Sequence, residues 1–420
     1  MVSIKVLGCM DNSDGTYESA NRVYSVHGLA PSIPTACGGG HIPKFLTGEH
    51  MPYKVRKLTP RECWRLMGFS DRDFDRARTL NTDRQLTSDT QLYMQAGNAI
   101  VKQCLEGIFS QLNIRGVRPW NGYENRDRNE VFISGKIRLI ELFAGIGTQA
   151  MALRDIGADF ERHRVVEIDR FAVDSYNAIH GTGFYTQDIT KISGKWLGIT
   201  DRDAYTYIMT YSFPCTDISL AGRKAGMSRD DWEAGKATRS GLLWEVERLL
   251  KECGSNLPDV LVMENVIQVH NGKNKEHFEY WKRFLESLGY RNFVQDLNAR
   301  DYGVPQNRAR CFMVSLLTDR DMKYVFPKPV PLAKTVYDML EPEVDEKYVY
   351  RCSKAQELLD LLVKNGTLPE DSSMLDGVKV VDMCVNEPGE RRQVANCIKS
   401  HYNNGITNFK QEGTCVVLKT

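Results

Sequence analysis

The chain has 420 residues, 42% of them hydrophobic and 26% charged, which is enough apolar material for a sizeable core and enough length for two domains. A formal net charge of +1 removes any argument for nucleic-acid binding from bulk charge, so such a surface would have to be locally basic. Eleven cysteines with no Cys-x-x-Cys pair and no regular spacing speak against a zinc site and a secreted disulfide framework, and predict no metal and reduced, cytoplasmic thiols.

In chain order, the first ten residues lack a charged-then-apolar leader, and no apolar run approaches the ~18 residues of a membrane span, so no export and no membrane partner are expected. Residues 1–55 hold short apolar runs separated by Gly, Asn and Pro. Residues 56–112 contain two distinctive stretches, Thr59-Pro60-Arg61-Glu62 leading into Trp64 to Phe69, and Gln95-Ala96-Gly97-Asn98-Ala99, within a helix expected around 91–109. Residues 113–136, with Pro119, Gly122 and a charged run, read as a linker crossing the surface with few buried contacts. From 137 to 322, short β-branched runs alternate with amphipathic segments. Strands are predicted over 137–142, 164–168, 205–211, 260–263, 292–298 and 311–317, with a further one at 184–186 left open, and helices over 148–156, 171–179, 242–253 and 276–288. That alternation implies an α/β fold with a doubly wound, mostly parallel sheet. Residues 323–420 again carry short apolar runs without a chemical signature.

Ligands of such sheets bind beyond the carboxyl ends of the strands, and the reactive groups collect there. Pro214-Cys215 follows the run at 205–211 and opens into a Gly-, Lys- and Arg-rich loop, 219–239. Glu264-Asn265-Val266 ends the next run, and Gln306-Asn307-Arg308-Ala309-Arg310 precedes another. The turn Phe143-Ala144-Gly145-Ile146-Gly147 lets the backbone approach a ligand closely, and Glu167 ends the following strand, where such folds carry an acid for a ribose diol. Singly, each has a bland reading: a buried thiol, a turn, a solvated Arg face, and for Asp188 a helix cap.

Together and in this cyclic order the motifs resemble the cytosine carbon-5 DNA methyltransferases. The stretches at 57–69 and 95–101 resemble that family's ninth and tenth blocks, which usually close the chain; here they come first, so the sequence resembles a circularly permuted member of bacterial restriction-modification or phage type. The resemblance implies a Rossmann-like S-adenosylmethionine-dependent catalytic domain over 137–322, completed by 56–112, and a smaller, mostly β target-recognition domain made of 1–55 and 323–420. It implies S-adenosylmethionine as cofactor, held by Phe143, Gly145, Gly147, Glu167, Asp188, Pro214 and Asn98, with Phe143 on the adenine, Glu167 on the ribose and Asp188 on the adenine amino group. It also implies a catalytic set of Cys215, Glu264, Arg308 and Arg310, and double-stranded DNA as partner, bound by a monomer that can be paired functionally with a restriction endonuclease. Thr216 departs from the family, which usually has Gln after the nucleophile.

The chemistry explains the set. Carbon 5 of cytosine is a poor nucleophile until a soft thiolate adds at carbon 6, so Cys215 would attack. Glu264 would hold or share a proton at ring N3, and Arg310, with Arg308 beside it in sequence, would hold the exocyclic oxygen. Neither carbon is reachable in a stacked duplex, so the base must flip out, with the 219–239 loop closing over it. Three other readings stay open at this level: a tRNA cytosine-5 methyltransferase, a non-catalytic nucleic-acid-binding protein on the same fold, and a dinucleotide-dependent oxidoreductase, which the missing third glycine disfavours.

Overall fold

The structure is a computed structural model, and it describes residues 4, 6–10, 21–24, 29–31, 44–49, 51–79, 87–120, 130–215, 217–218, 226–236, 238–350, 360, 363–364, 379–382 and 414–417. Thr216, residues 219–225, and most of the apolar runs noted in 1–55 and 351–420 lie outside these. The chain divides into two compact units: Met1–Asn98 with Ala299–Arg308 and Pro331–Thr420, and Ala99–Asn298 with Ala309–Val330.

The second unit is built on a six-stranded sheet. Its strands are β1 (Lys136–Leu142), β2 (Phe160–Val166), β3 (Tyr205–Tyr211), β4 (Val260–Asn265), β5 (Tyr290–Asn298) and β6 (Ala309–Leu317), in the spatial order β5-β6-β4-β3-β1-β2. The first four run parallel, and β6 is antiparallel to both of its neighbours. Every residue of β4 is buried, as a central strand covered on both faces requires, and the apolar run of β3 follows the same logic. The helices are α1 (Lys102–Ser110), α2 (Thr148–Asp155), α3 (Arg170–His180), α4 (Leu243–Cys253) and α5 (Lys275–Ser287). The apolar faces of α4 and α5 bury Trp244, Leu249, Trp281 and Leu285 in one core with Met209, Tyr211 and Leu261 of the sheet. No helix among the described residues is long and apolar enough to cross a membrane.

Several boundaries differ from the expectation for physical reasons. β2 begins at Phe160, four residues early, because it is an edge strand: only Val165 and Val166 are buried, while Glu161 pairs with Arg138 and His163 reaches the Leu197 carbonyl. β4 continues through Glu264 and Asn265 because β6 pairs with both, Phe312 opposite Glu264 and Cys311 opposite Asn265. Residues 184–186 form no strand; the Asn177 side chain takes up the Phe184 backbone instead. The helix expected over 91–109 is two helices, Asp89–Asn98 and α1, because Val101 is extended (ψ 120°) where α1 starts. The 113–136 segment is also anchored rather than free: Ile114 bridges Ile133, and both are buried along with Val117 and Val131.

α1 packs on α2, and Lys102 forms ion pairs with Asp155 and Glu106. It is the part of 56–112 that belongs to the sheet's unit. The helices Pro60–Arg65, Asp71–Thr79 and Asp89–Asn98 belong to the first unit. That unit carries a five-stranded sheet in the order Val6–Cys9, Arg22–Tyr24, Lys44–Glu49, Met51–Lys57 and Val349–Tyr350. Thr59 starts its first helix with a capping box: its hydroxyl accepts from the Glu62 amide, and the Glu62 carboxylate accepts from the Thr59 amide. Lys379–Asp382 pairs with Thr414–Val417, and the latter strand neighbours Val6–Cys9.

Candidate active site

At the carboxyl edge of the parallel strands, the register brings four chain segments side by side. Leu142 lies opposite both Val166 and Tyr211, and Tyr211 opposite Met263, so the turns leaving β1, β2, β3 and β4 emerge together. Because β6 runs the other way, its first residues, Ala309 and Arg310, lie at the same edge.

The turn after β1 is held in an unusual backbone shape. Phe143, Gly145 and Gly147 all take positive φ, at 59°, 55° and 79°. For Phe143 that conformation costs of the order of 1 kcal/mol, which the packing of its ring against the core offsets. The Gly145 amide donates to Glu167 Oε2 at 2.9 Å and the Asp169 amide to Oε1 at 2.9 Å, so this carboxylate ties the turns after β1 and β2 together. Burial raises the Glu167 carboxyl above the usual range, against the lowering effect of those two amides. A Cβ on Gly145 would meet nothing within 4 Å, whereas one on Gly147 would lie 2.4 Å from both Tyr176 Cε2 and His180 Nε2. Beneath the turn lies a group that the sequence reading missed. Glu141, fully buried at the end of β1, accepts from the Tyr176 hydroxyl at 2.5 Å and the Ala150 amide at 3.3 Å, and burial pushes its carboxyl up to about 7.

Asp188 follows no strand. It caps the short turn Ile189–Lys191, its Oδ1 accepting from the amide and hydroxyl of Thr190, which hold its carboxyl below the usual range. Beside Glu167, Ile168 is 69% exposed, an apolar surface next to a carboxylate that the sequence reading also missed. Its signal was an Ile at the strand end with no core partner implied.

Cys215 is half-buried, four residues beyond β3. Its loop is clamped from two sides: the Asn265 amide group donates to the Phe213 carbonyl at 2.9 Å, and the Ser240 hydroxyl donates to the Pro214 carbonyl at 2.6 Å. Asn265 Oδ1 in turn accepts from the Val266 amide at 2.8 Å, so the side chain is engaged at both ends. The Asn of Glu-Asn-Val thus positions the Pro-Cys pair, while the Glu faces Arg310. Arg310 Nε lies 3.3 Å from Glu264 Oε1, and both side chains keep a small exposed fraction, 18% and 10%. Within 219–239, the described part holds the short helix Arg229–Glu233, and Arg229 pairs with Glu247 of α4 and stacks over the Tyr280 ring of α5.

Arg308 and Asn98 both belong to the first unit. The buried Arg308 guanidinium donates to the Gly97 carbonyl at 2.9 Å, at the carboxyl end of Asp89–Asn98, where a cation suits the helix dipole. Asn98 is the exposed last residue of that helix. The sheet's unit therefore brings together Phe143, Gly145, Gly147 and Glu167 in one turn pair, and Glu264 with Arg310, with Pro214 and Cys215 in the next loop. Arg308 instead joins the Gln-Asn-Arg-Ala-Arg stretch to the Gly-Asn-Ala stretch.

The family model described as C-5 cytosine-specific DNA methylase matches residues 9–113 and 137–411, nearly the whole chain in two segments. Orphan methyltransferase M.SssI of Spiroplasma monobiae is 34% identical, the match covering 50% of this chain and 67% of the relative. Type II methyltransferase M2.ScrFI of Lactococcus lactis subsp. cremoris is 29% identical, with 53% and 72% covered, and type II methyltransferase M.HhaI of Haemophilus parahaemolyticus is 31% identical, with 51% and 59% covered. A thiol, a carboxyl–guanidinium pair and a glycine turn at one sheet edge, in a chain that matches this model over most of its length, have one common explanation: the chain belongs to the C-5 cytosine-specific DNA methylases, enzymes that transfer a methyl group from a donor of the S-adenosylmethionine type to carbon 5 of cytosine in DNA.

Proposed function

We propose that the chain methylates a cytosine flipped out of double-stranded DNA, in the cytoplasm, with Cys215 as nucleophile and S-adenosylmethionine as the donor. The observation that carries this reading is the Glu264–Arg310 pair. Ring N3 and the exocyclic oxygen of cytosine are adjacent on one edge, and a carboxyl and a guanidinium 3.3 Å apart match that adjacency. Cys215, on the neighbouring strand end, adds to carbon 6; Glu264 keeps a hydrogen bond, and the proton it shares, at N3; Arg310 holds the oxygen and fixes the ring plane. Once carbon 5 carries the donor's methyl group, loss of its proton to solvent and cleavage of the carbon 6–sulfur bond would restore the aromatic ring and return Cys215 as the thiolate.

The residues after β1 and β2 suit the donor. The Cα face of Gly145 is open, Glu167 offers acceptors at the edge of the turn, and Ile168 leaves an apolar surface for a purine. Bound there, the sulfonium supplies an electrophilic methyl group. Phe143, Gly147, Pro214 and Asp188 complete the proposed pocket within this unit, while in the first unit Arg308 serves by holding the Gly97 carbonyl next to Asn98. A circular permutation accounts for the two matched segments, for α1 belonging with the sheet, and for Thr414–Val417 lying next to Val6–Cys9 near opposite ends of the chain. A monomer acting beside a restriction endonuclease completes the proposal, in keeping with the type II names of several relatives.

The test is nucleoside analysis of duplex DNA incubated with the purified protein and S-adenosylmethionine. The expected product is 5-methyl-2′-deoxycytidine, with tRNA left unmodified. Methylation at a ring or exocyclic nitrogen, or of tRNA alone, would overturn the proposal.

A further inference from the structure

One cluster of ligating side chains plays no part in the chemistry above. His270 closes the short turn Ile267–His270 that follows β4, Asp296 lies on β5, and Cys311 on β6. Asp296 and Cys311 are directly opposed in the antiparallel register, so their side chains share a face of the sheet. His270 Nε2 lies 3.0 Å from Asp296 Oδ1 and 3.3 Å from Oδ2. One nitrogen, one oxygen and one sulfur donor all lie within 4.8 Å of one another among the described residues.

We propose that His270, Asp296 and Cys311 form a site for a borderline-soft divalent cation of the zinc class. The ligating atoms of a tetrahedral zinc site stand roughly 3–4 Å apart, given metal–ligand distances of about 2.0–2.3 Å, so the three need close on one another only slightly. The donor set selects the metal: a thiol sulfur and an imidazole disfavour Mg²⁺ and Ca²⁺, which take oxygen, and suit Zn²⁺ or Co²⁺. The site is layered in the way such binding needs. Cys311 is fully buried at its floor, Asp296 is exposed at its rim, and His270 is intermediate, so a cation can enter from solvent and keep water as its fourth ligand. Coordination by sulfur displaces the Cys311 proton to solvent, and no electron changes hands. The ligands come from positions 270, 296 and 311, with no short-range spacing to reveal them. The site sits close to the chemistry, because Cys311 follows Arg310 and opposes Asn265.

The probe is Co²⁺, titrated into the full-length protein under reducing conditions and then displaced by Zn²⁺. The expected spectrum has the visible bands of a tetrahedral cobalt centre and a near-ultraviolet thiolate charge-transfer band, both bleached by zinc. Cys311→Ser removes the charge-transfer band, and Cys215→Ser leaves it unchanged. If the buried serine variant fails to fold, His270→Gln, at the surface, carries the test by weakening Co²⁺ binding about tenfold or more. A spectrum without a thiolate band, a band that survives Cys311→Ser, or a His270→Gln variant that binds like the parent would overturn the site.

Discussion

Two glycines in one turn are expected to respond differently to the same substitution, one chiefly in stability and the other chiefly in donor binding. At Gly147, alanine meets both a backbone at φ 79° and a Cβ position 2.4 Å from the Tyr176 and His180 side chains. The left-handed conformation costs roughly 1–2 kcal/mol and the overpacking roughly 1–3 kcal/mol, so Gly147→Ala should lose about 2–5 kcal/mol of stability. In thermal unfolding this is a fall in Tm of roughly 5–15 °C for a unit of this size. At Gly145 the backbone term is similar, with φ 55°, but the added methyl meets nothing within 4 Å. Gly145→Ala should therefore cost only about 1–2 kcal/mol of stability while placing a methyl group on the surface assigned to the donor. Thermal denaturation and calorimetric titration with S-adenosylhomocysteine separate the two effects. Gly145→Ala should fold nearly as well as the parent and bind the donor analogue at least ~10-fold more weakly, the affinity that about 1.4 kcal/mol represents. Parental binding by Gly145→Ala would refute the placement of the donor against this turn, and a parental Tm in Gly147→Ala would refute the packing argument.

Asn265→Ala removes two buried hydrogen bonds and leaves the Phe213 carbonyl and Val266 amide without those partners, which should cost about 1–3 kcal/mol in a urea melt and lower kcat more than DNA affinity, because the Pro-Cys loop loses its clamp. Glu264→Gln keeps the shape but not the proton, so single-turnover methylation should slow by roughly 10²- to 10⁴-fold with DNA binding little changed, and Arg310→Lys should not restore the planar guanidinium lost in Arg310→Ala. Glu141 titrates near 7 in the fold against 4.5 unfolded, so the folded chain holds more protons between those values and stability falls as pH rises from about 4.5 to about 7, by at most roughly 3 kcal/mol. Glu141→Gln should flatten that slope in urea midpoints compared at pH 5 and pH 8, and an unchanged slope would show that Glu141 is not its source.

The sheet was legible in sequence wherever burial was two-sided. β3 reads the same from its apolar run and in the structure, because a central parallel strand has no polar face to blur the pattern. β2 was misread at its start because this edge strand opens with four consecutive charged or polar residues, Glu161 to Arg164, whose partners across the sheet and in the following turn no local pattern reveals. The strand left open at 184–186 fails for a local reason, since the Asn177 side chain satisfies the backbone that a ladder would have used. At the site, Phe143, Gly145, Gly147, Cys215, Glu264 and Arg310 could be placed because a doubly wound sheet gathers its strand ends. Glu141 and the clamp made by Asn265 were not legible, since each depends on which distant side chain or carbonyl lies opposite. Arg308 illustrates the limit: two residues from Arg310 in sequence, it turns to Gly97 instead.

The proposed reaction depends on Cys215 above all. Duplex DNA carrying 5-fluorocytosine at target positions leaves no carbon-5 proton to remove, so the adduct formed at carbon 6 cannot resolve after methyl transfer. Incubated with the protein and S-adenosylmethionine, then digested and analysed by mass spectrometry, it should yield a covalent nucleotide on the peptide that contains Cys215, and none from Cys215→Ser. An adduct mapped to another cysteine, or methylation of ordinary cytosine that persists in Cys215→Ser, would contradict it.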